Sequence, residues 1–196
     1  LTDLGKLNDA ELLLRKSIEL KPDLADAHYN LGIILRDLGK TSEAFNSYIK
    51  VIELNPKFDN IYSRITKFLK YSDPSKLDKS KLEDILNILL ENNYLTHSEL
   101  FETFHYLYSH KLMINSDKKD LNFSQEDIIN LFINDKLIIK ALKRFVFCDI
   151  RWERILRKIR TNICDRIAKD TEIISEPEFE FIIAIAEQCF LNEYVY

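Results

Sequence analysis

Glycine is the residue this chain most lacks, since its 196 residues contain three, Gly5, Gly32 and Gly39. Glycine-rich loops bind phosphates because a backbone without side chains can approach the ligand and adopt positive φ angles. With no glycine after Gly39, the rest of the chain has no Walker loop, no dinucleotide-binding fingerprint and no nucleophile elbow. Proline is also scarce, with four residues, which favours long helices over a turn-rich β fold.

Cysteine is nearly as scarce, and its three copies are Cys148, Cys164 and Cys189. Because the number is odd and no two form a CxxC pair, the sequence argues against a disulfide framework or a zinc ribbon. A reducing, cytoplasmic location fits this pattern. All three cysteines lie within apolar helical patterns, so we expect buried thiols and not reactive ones.

Long hydrophobic runs and an excess of positive charge are absent as well. The longest apolar stretches, such as residues 181–186, are far too short to cross a bilayer, and no basic-then-apolar signal peptide opens the chain. The net charge of −4 argues against a dedicated nucleic-acid binder, which needs a basic surface to neutralise phosphates. We therefore expect neither a membrane nor a nucleic acid as a partner.

An internal repeat occupies the first part of the chain. When the sequence is shifted by 34 residues, many residues coincide with identical ones, including Gly5 with Gly39 and Pro22 with Pro56. Other coinciding pairs include Leu4 and Leu38, Lys6 and Lys40, Ala10 and Ala44, Ile18 and Ile52, Glu19 and Glu53, and Leu20 and Leu54. Agreement of glycine and proline at a single offset indicates a repeated structural unit.

The repeated unit has the features of a helical hairpin, with one helix over about residues 25–38 and a second over about residues 41–54. Gly32 has no side chain, so the paired helix can approach it closely. Gly39 suits the position just past the last turn of the first helix. Pro56 ends the second helix and sets up the next one.

Residues 25–58 resemble one complete tetratricopeptide repeat (TPR), a two-helix unit that stacks into a solenoid. The residues that carry this resemblance are Leu31, Gly32, Ala44, Tyr48 and Pro56. Residues 1–24 resemble the later part of a preceding unit. Residues 59–71 resemble the first helix of a third unit, although Thr66 stands where glycine is usual. The resemblance implies a TPR-type solenoid of helical hairpins.

The resemblance also implies a function, because TPR solenoids bind peptides or partner proteins in a concave groove lined by the first helix of each unit. By position, the groove would contain Asp26, Tyr29, Asn30, Ile33, Arg36, Asp37, Asn60, Ser63, Arg64 and Lys67. The basic clamp that some TPR domains use on a C-terminal carboxylate is not matched, because Tyr29 and Ile33 replace its polar residues. For each of these residues the alternative is a solvated helix face.

The repeat period is lost after Tyr71, so we predict that the repeats occupy residues 1–71 and that an irregular α-helical domain occupies residues 72–196. No convincing strand pattern occurs in the second region, and the predicted fold class is therefore all-α. Its expected helices span residues 77–92, 98–109, 124 onwards, 135–147, 151–168 and 177–191, with a polar loop at residues 115–122.

The end of the chain resembles a helical segment of bacterial proteins in which TPR repeats precede a class I S-adenosylmethionine-dependent methyltransferase domain. The residues that carry this resemblance are 179–196, above all Gln188-Cys189-Phe190-Leu191-Asn192-Glu193-Tyr194, and residues 135–142 and 152–156 resemble the helices before it. The resemblance implies a catalytic domain beyond Tyr196. Because this chain contains no methyl-donor loop, we expect it to have no catalytic residue and no cofactor.

Two further features were candidates for a site, the histidines and a basic helix. The four histidines form no HExxH motif, so we expect no metal site. The basic helix contains Arg151, Arg154, Arg157, Lys158 and Arg160, and its apolar stripe contains Trp152, Ile155, Leu156, Ile159 and Ile163. Such a helix either packs its stripe in a core and leaves its charges in water, or meets an anionic lipid or nucleic acid.

Taken together, these features favour a scaffold that binds a protein or peptide, with no catalytic site expected in this chain and enzyme activity uncertain. The alternative is the substrate-recruiting region of a methyltransferase whose catalytic domain lies beyond residue 196. A contact of the basic helix with membrane or nucleic acid is a third possibility. Since a solenoid unit needs neighbours on both sides, we expect further repeats or a catalytic domain in the parent chain.

Overall fold

The computed structural model of the chain describes residues 2–111, 125–147, 149–169 and 175–193. Within these ranges the chain forms α-helices and two short 3-10 helices, with no strand, which confirms the predicted all-α fold. The α-helices are α1 (Thr2–Leu20), α2 (Ala25–Asp37), α3 (Thr41–Leu54), α4 (Ile61–Tyr71), α5 (Lys79–Glu91), α6 (Phe101–Lys111), α7 (Gln125–Asn134), α8 (Lys136–Leu142), α9 (Ile150–Lys169) and α10 (Glu176–Glu193). The expected polar loop at residues 115–122 and the helix start at Ser124 lie outside the described residues.

The helices form two compact units, Leu1–Ile85 and Leu86–Tyr196, and the division between them lies within α5. The predicted end of the repeat region, Tyr71, is the last residue of α4. A 3-10 helix, Pro74–Lys76, separates α4 from α5. The predicted domain limits, 1–71 and 72–196, stay a prediction.

Helices α2 and α3 form the hairpin that the repeat predicts. Gly32 of α2 lies against Tyr48 of α3, and a Cβ added at Gly32 would be 2.6 Å from Cε1 of Tyr48. Gly39 lies between the two helices with φ = 75°, a left-handed conformation that glycine adopts without strain. Both glycines therefore have the roles that the sequence pattern predicts for them.

Helix α4 packs on the hairpin through aromatic side chains. The ring of Phe68 stacks on Phe45 with centres 6.1 Å apart and meets Tyr48 edge-on at 5.5 Å. Thr66, at the usual glycine position of the repeat, is 2% exposed, and its hydroxyl donates to the carbonyl oxygen of Tyr62 at 2.9 Å. The buried hydroxyl of Thr66 is therefore satisfied within its own helix.

Helix α1 meets the hairpin through the buried side chain of Glu11. Lys40 donates to the two carboxylate oxygens of Glu11 at 2.9 and 2.7 Å, and Nε of Arg15 donates to one of them at 3.0 Å. The hydrogen bond from Lys40 is the main cause that lowers the pKa of Glu11 below its usual value, while burial acts in the opposite direction. Other parts of α1 remain apolar and exposed at Leu4, Leu12, Leu13 and Leu20.

The second unit has an aromatic core around Trp152 of α9. Its ring centre lies 5.3 Å from that of Phe104 and 5.2 Å from that of Phe147, and the side chain is fully buried. The indole Nε1 donates a hydrogen bond to Nδ1 of His105 at 2.9 Å. This bond satisfies the polar atom that comes with burying a large indole.

The predicted helix over residues 135–147 is wrong in its second half, because α8 ends at Leu142. Phe145 and Phe147 are both buried, with ring centres 5.3 and 6.1 Å from that of Phe104. Residues two apart point to nearly opposite sides of a helix but to the same side of an extended chain. The burial of both rings in one cluster therefore explains why the helix ends before them.

Acidification should destabilise the second unit between pH 6.5 and 5. Burial lowers the pKa of His105 and of His97 below the usual 6.5. As the pH falls below 6.5, these histidines therefore bind protons in the unfolded chain before they do so in the folded chain, and this favours unfolding. Asp149, whose pKa its bond to Arg151 lowers to about 2, titrates below this window. Because Trp152 is the single tryptophan, its fluorescence in urea reports on this unit. We expect a lower urea midpoint at pH 5 than at pH 7.5.

The matched variant for this prediction is His105→Asn, whose amide oxygen can still accept from the indole but does not titrate. The decline in midpoint should become shallower and not disappear, because His97 keeps its contribution. A decline as steep as in the unmodified chain would show that His105 does not contribute.

The cysteines contradict the expectation of buried thiols, since Cys164 is exposed and Cys189 is partly exposed. Cys148 lies outside the described residues. Cys164 directly follows Ile163, which is buried, and the next position along a helix turns by about 100° away from a buried stripe. An apolar neighbourhood in the sequence was therefore a poor guide to the burial of a single position.

The apolar stripe of the basic helix α9 is buried, which confirms that it packs in the core of the second unit. Its residues Trp152, Ile155, Leu156, Ile159 and Ile163 are each at most 8% exposed. On the polar side, Arg160 pairs with Glu153 and Arg166 pairs with Glu178. None of the described helices has the length and apolar character that crossing a membrane requires.

Candidate functional site

The ten predicted groove residues lie on α2, on α4 and in the turn before α4, and each is at least partly exposed. Those on α2 are Asp26, Tyr29, Asn30, Ile33, Arg36 and Asp37, and those at and after the start of α4 are Asn60, Ser63, Arg64 and Lys67. Counted from the first residue of each set, the others follow after three, four and seven residues, and in α2 also after ten and eleven, which places the side chains on one helix face.

A cavity of about 400 Å³ brings half of these residues together. Its lining comprises Tyr29, Phe58, Asp59, Asn60, Ser63, Arg64 and Lys67. Tyr29 comes from α2, and the rest come from α4 and the turn before it. The other predicted residues, Asp26, Asn30, Ile33, Arg36 and Asp37, do not line this cavity.

Tyr29 connects α2 to α4 through Arg64. Nε of Arg64 donates to the hydroxyl of Tyr29 at 3.2 Å, and the guanidinium carbon lies 5.9 Å from the ring centre. The Tyr29 ring also lies 5.0 Å from the ring of Phe58. These contacts hold Tyr29 in one position at the wall of the cavity.

Tyr48 lies beneath Tyr29, with ring centres 6.3 Å apart. It is fully buried, and its hydroxyl has no hydrogen-bond partner among the residues that the structure describes. Burial raises the pKa of Tyr48 above its usual value, so the phenol is neutral at pH 7. Tyr48 thus supports Tyr29 from below, and its own place is fixed by contact with Gly32.

The charges of Arg36 and Asp37 are neutralised by each other. Nε and a terminal amine of Arg36 donate to the same oxygen of Asp37 at 2.9 and 2.7 Å. This hydrogen bonding is the main cause that raises the pKa of Arg36 above its usual value. Both side chains are about 40% exposed, so the pair contributes little stability and offers little net charge to a ligand.

The first turn of α4 forms another part of the cavity wall. Asn60, the residue before the helix, has φ = 58°, a left-handed conformation that asparagine tolerates better than most residues. No side chain caps the helix there. The amide of Ile61 donates to the carbonyl oxygen of Phe58 at 3.3 Å, and the helix dipole gives this end of α4 a partial positive charge.

Sequence reasoning missed two residues of the cavity, Phe58 and Asp59. Both lie in the turn between α3 and α4, and the groove positions were assigned to helices alone. Phe58 was recognised as the last residue of the complete repeat, but its contact with Tyr29 requires the chain to fold back across α2. An aromatic residue shortly after Pro56 is the signal in the sequence that could have indicated it.

Two family models match the first part of the chain. Residues 1–35 match a model described as TPR repeat, and residues 25–58 match one described as tetratricopeptide repeat. Residues 1–58 are thus similar to tetratricopeptide repeats. The TPR matches end before α4, and no curated protein matches the chain.

The cavity between α2 and α4 has the components of a binding site for a polar, extended ligand. Arg64, Lys67, Asn60 and Ser63 supply hydrogen-bond donors, while Tyr29 and Phe58 supply an apolar wall. Within the described ranges, no group of three His, Cys, Asp or Glu side chains could hold a metal ion. The arrangement is thus suited to non-covalent recognition.

Proposed function

We propose that residues 1–71 are a scaffold that binds an extended peptide segment of a partner protein across α2 and α4, centred on Tyr29 and Arg64. TPR repeats typically serve as scaffolds for protein–protein interaction, and residues 1–58 match this family. The observation that supports the proposal is the cavity, because it joins predicted groove residues of α2 and of α4, the helix that resembles the first helix of a further unit. A groove shared by successive units is how a solenoid recognises an extended chain.

Tyr29 is the residue on which peptide binding should depend most. Its ring is held by contacts with Arg64 and Phe58, and aromatic residues supply much of the binding energy of protein interfaces. Peptides that bind the intact chain would first be selected from a random display library. Their affinities would then be measured by fluorescence anisotropy. We expect Tyr29→Ala to weaken their binding about tenfold or more.

The matched control is Tyr94→Ala, because Tyr94 is 98% exposed and lies in the other compact unit. Binding to Tyr94→Ala should equal that of the unmodified chain. Tyr29→Phe, which keeps the ring and loses the hydroxyl bonded to Arg64, should have an intermediate effect. Unchanged affinity in Tyr29→Ala, with the fold verified by circular dichroism, would place the peptide elsewhere.

Further repeat helices of the parent protein are a second part of this proposal. Their support is the exposed apolar surface of α1, where Leu12 is 68% exposed and Leu13 is 65% exposed. A repeat helix covers such a surface when a neighbouring unit is stacked on it. In an extended chain that contains the preceding repeat, both leucines should become protected from solvent in hydroxyl-radical footprinting.

The methyltransferase alternative rests on the resemblance of residues 179–196. Gln188, at the centre of that segment, has a packing role as well, since it is fully buried in α10 and accepts a hydrogen bond from Arg160 at 3.0 Å. The test is the coding sequence of the parent protein after Tyr196. A strand followed by a glycine-rich loop and, about twenty residues later, an acidic residue would support a methyl-donor site; a stop codon would leave the scaffold alone.

A further inference from the structure

Two cations, Arg64 and Lys67, line the cavity between α2 and α4. In the part of the chain that the structure describes, no Asp or Glu oxygen lies within ion-pair distance of Arg64 or Lys67, although Asp59 shares the cavity lining. Several cations elsewhere in the same unit are paired, namely Arg15, Arg36, Lys40 and Lys50. Among the described residues, the cavity therefore brings together two positive charges that no carboxylate neutralises.

The contact with Tyr29 orients Arg64 without using its terminal amines. Its Nε donates to the Tyr29 hydroxyl, and the guanidinium is held beside the ring. Among the described residues, the two terminal amines of Arg64 have no hydrogen-bond partner, and their planar arrangement matches the two oxygens of a carboxylate. The ordering of Arg64 before binding also reduces the entropy that a ligand must overcome.

The N-terminal end of α4 adds to the positive electrostatic potential of the cavity. Asn60 directly precedes this eleven-residue helix, Ser63 lies in its first turn, and both line the cavity. A partial positive charge at a helix N-terminus stabilises a nearby anion. Two cations, this helix end and a single carboxylate thus favour one acidic group in the cavity.

The ligand side chains next to that acidic group would meet an apolar wall. The rings of Tyr29 and Phe58 lie 5.0 Å apart on the cavity lining. A ligand that has both an acidic and an apolar side chain can use both parts of the cavity. A phosphate would use the charged part alone.

Resting on the proposed peptide-binding function, we propose that the cavity takes the side-chain carboxylate of a glutamate or aspartate within the bound peptide. Arg64 and Lys67 bind this carboxylate, and an apolar residue beside it packs on Tyr29 and Phe58. The acidic residue lies inside the peptide and not at its C-terminus. The partner is thus an acidic, partly apolar peptide segment.

The test uses two display libraries of random peptides on the intact chain, one with every peptide C-terminus fused to its carrier and one with free C-termini. We expect the fused library to yield peptides enriched in Glu or Asp at a fixed distance from an apolar residue. Replacing that acidic residue by its amide in a selected peptide should weaken binding about tenfold, because a charged hydrogen bond is lost. Lys67→Gln, an exposed change on a helix, should weaken binding by a similar factor.

The matched control is Lys16→Gln, which removes the same charge from an exposed position of α1 outside the cavity and should leave binding unchanged. In Lys67→Gln, changing the peptide acid to its amide should cost less than it does in the unmodified chain, since the two groups act as a pair. Equal costs in both proteins would show that the acidic residue binds elsewhere, and this would overturn the proposal.

Two other outcomes separate this inference from the proposed function. Peptides that depend on Tyr29 but show no acidic enrichment, or that bind only with free C-termini, would overturn the side-chain carboxylate and leave peptide binding intact. A library that yields no peptide dependent on Tyr29 would overturn both.

Discussion

Gly32→Leu should lower the free energy of unfolding of the repeat unit by about 3 kcal/mol, as overpacking of a tight helix crossing does. Even a Cβ at this position would lie 2.6 Å from Cε1 of Tyr48. Tyr48 cannot move aside easily, because it is fully buried with the rings of Tyr29 and Phe68 around it. Urea unfolding followed by far-ultraviolet circular dichroism would measure the loss.

The control for Gly32 is Gly5→Ala in α1, where an added Cβ would meet no atom within 4 Å. Because alanine favours a helix over glycine, this change should leave stability unaltered or raise it by up to about 1 kcal/mol. A Gly32→Leu chain as stable as the unmodified one would contradict the close approach of α2 and α3.

Trp152→Ala should destabilise the second unit by about 4 kcal/mol, the usual range for removing a large aromatic side chain from a core. The substitution leaves a cavity among Phe104, Phe132 and Phe147, whose ring centres lie 5.2 to 6.4 Å from the indole. It also removes the donor bound by His105. The midpoint of urea unfolding, measured by circular dichroism, should fall accordingly.

Trp152→Phe separates packing from hydrogen bonding in this core. It keeps an aromatic ring and should cost about 1 to 2 kcal/mol, because part of the volume and the bond to His105 are lost. Equal losses for the alanine and phenylalanine variants would mean that the hydrogen bond, and not the aromatic packing, stabilises this core.

The hairpin of the first unit was predictable because its signals are local. The left-handed turn between α2 and α3 requires a glycine, Gly39, and the close approach of α3 requires another, Gly32. The fixed spacing of these glycines from Pro56 in the sequence defines the unit. Each of these constraints acts on residues near it along the chain or in the paired helix. The bounds of α2 and α3 therefore agree with the prediction within one residue.

The second unit was predictable in helix content but less so in detail. Periodicity placed α9 and α10, since an apolar stripe specifies which face of a helix is buried. It did not place the end of α8, because Phe145 and Phe147 follow the geometry of a cluster built from distant helices. It also misjudged Cys164, because one position of a helix can lie beside the stripe and still face solvent.

For the candidate site, the sequence predicted which residues share a helix face and which chemical groups that face offers to a ligand. Position within a repeat identifies which side chains of α2 and α4 point the same way, because a helix has a fixed angle per residue. Only the tertiary structure decides which of these residues line a common cavity. The turn after α3 brings Phe58 to Tyr29, and the packing of α4 on α2 places Nε of Arg64 3.2 Å from the Tyr29 hydroxyl. Such contacts join residues far apart in the chain, and the distance between them depends on how whole helices pack.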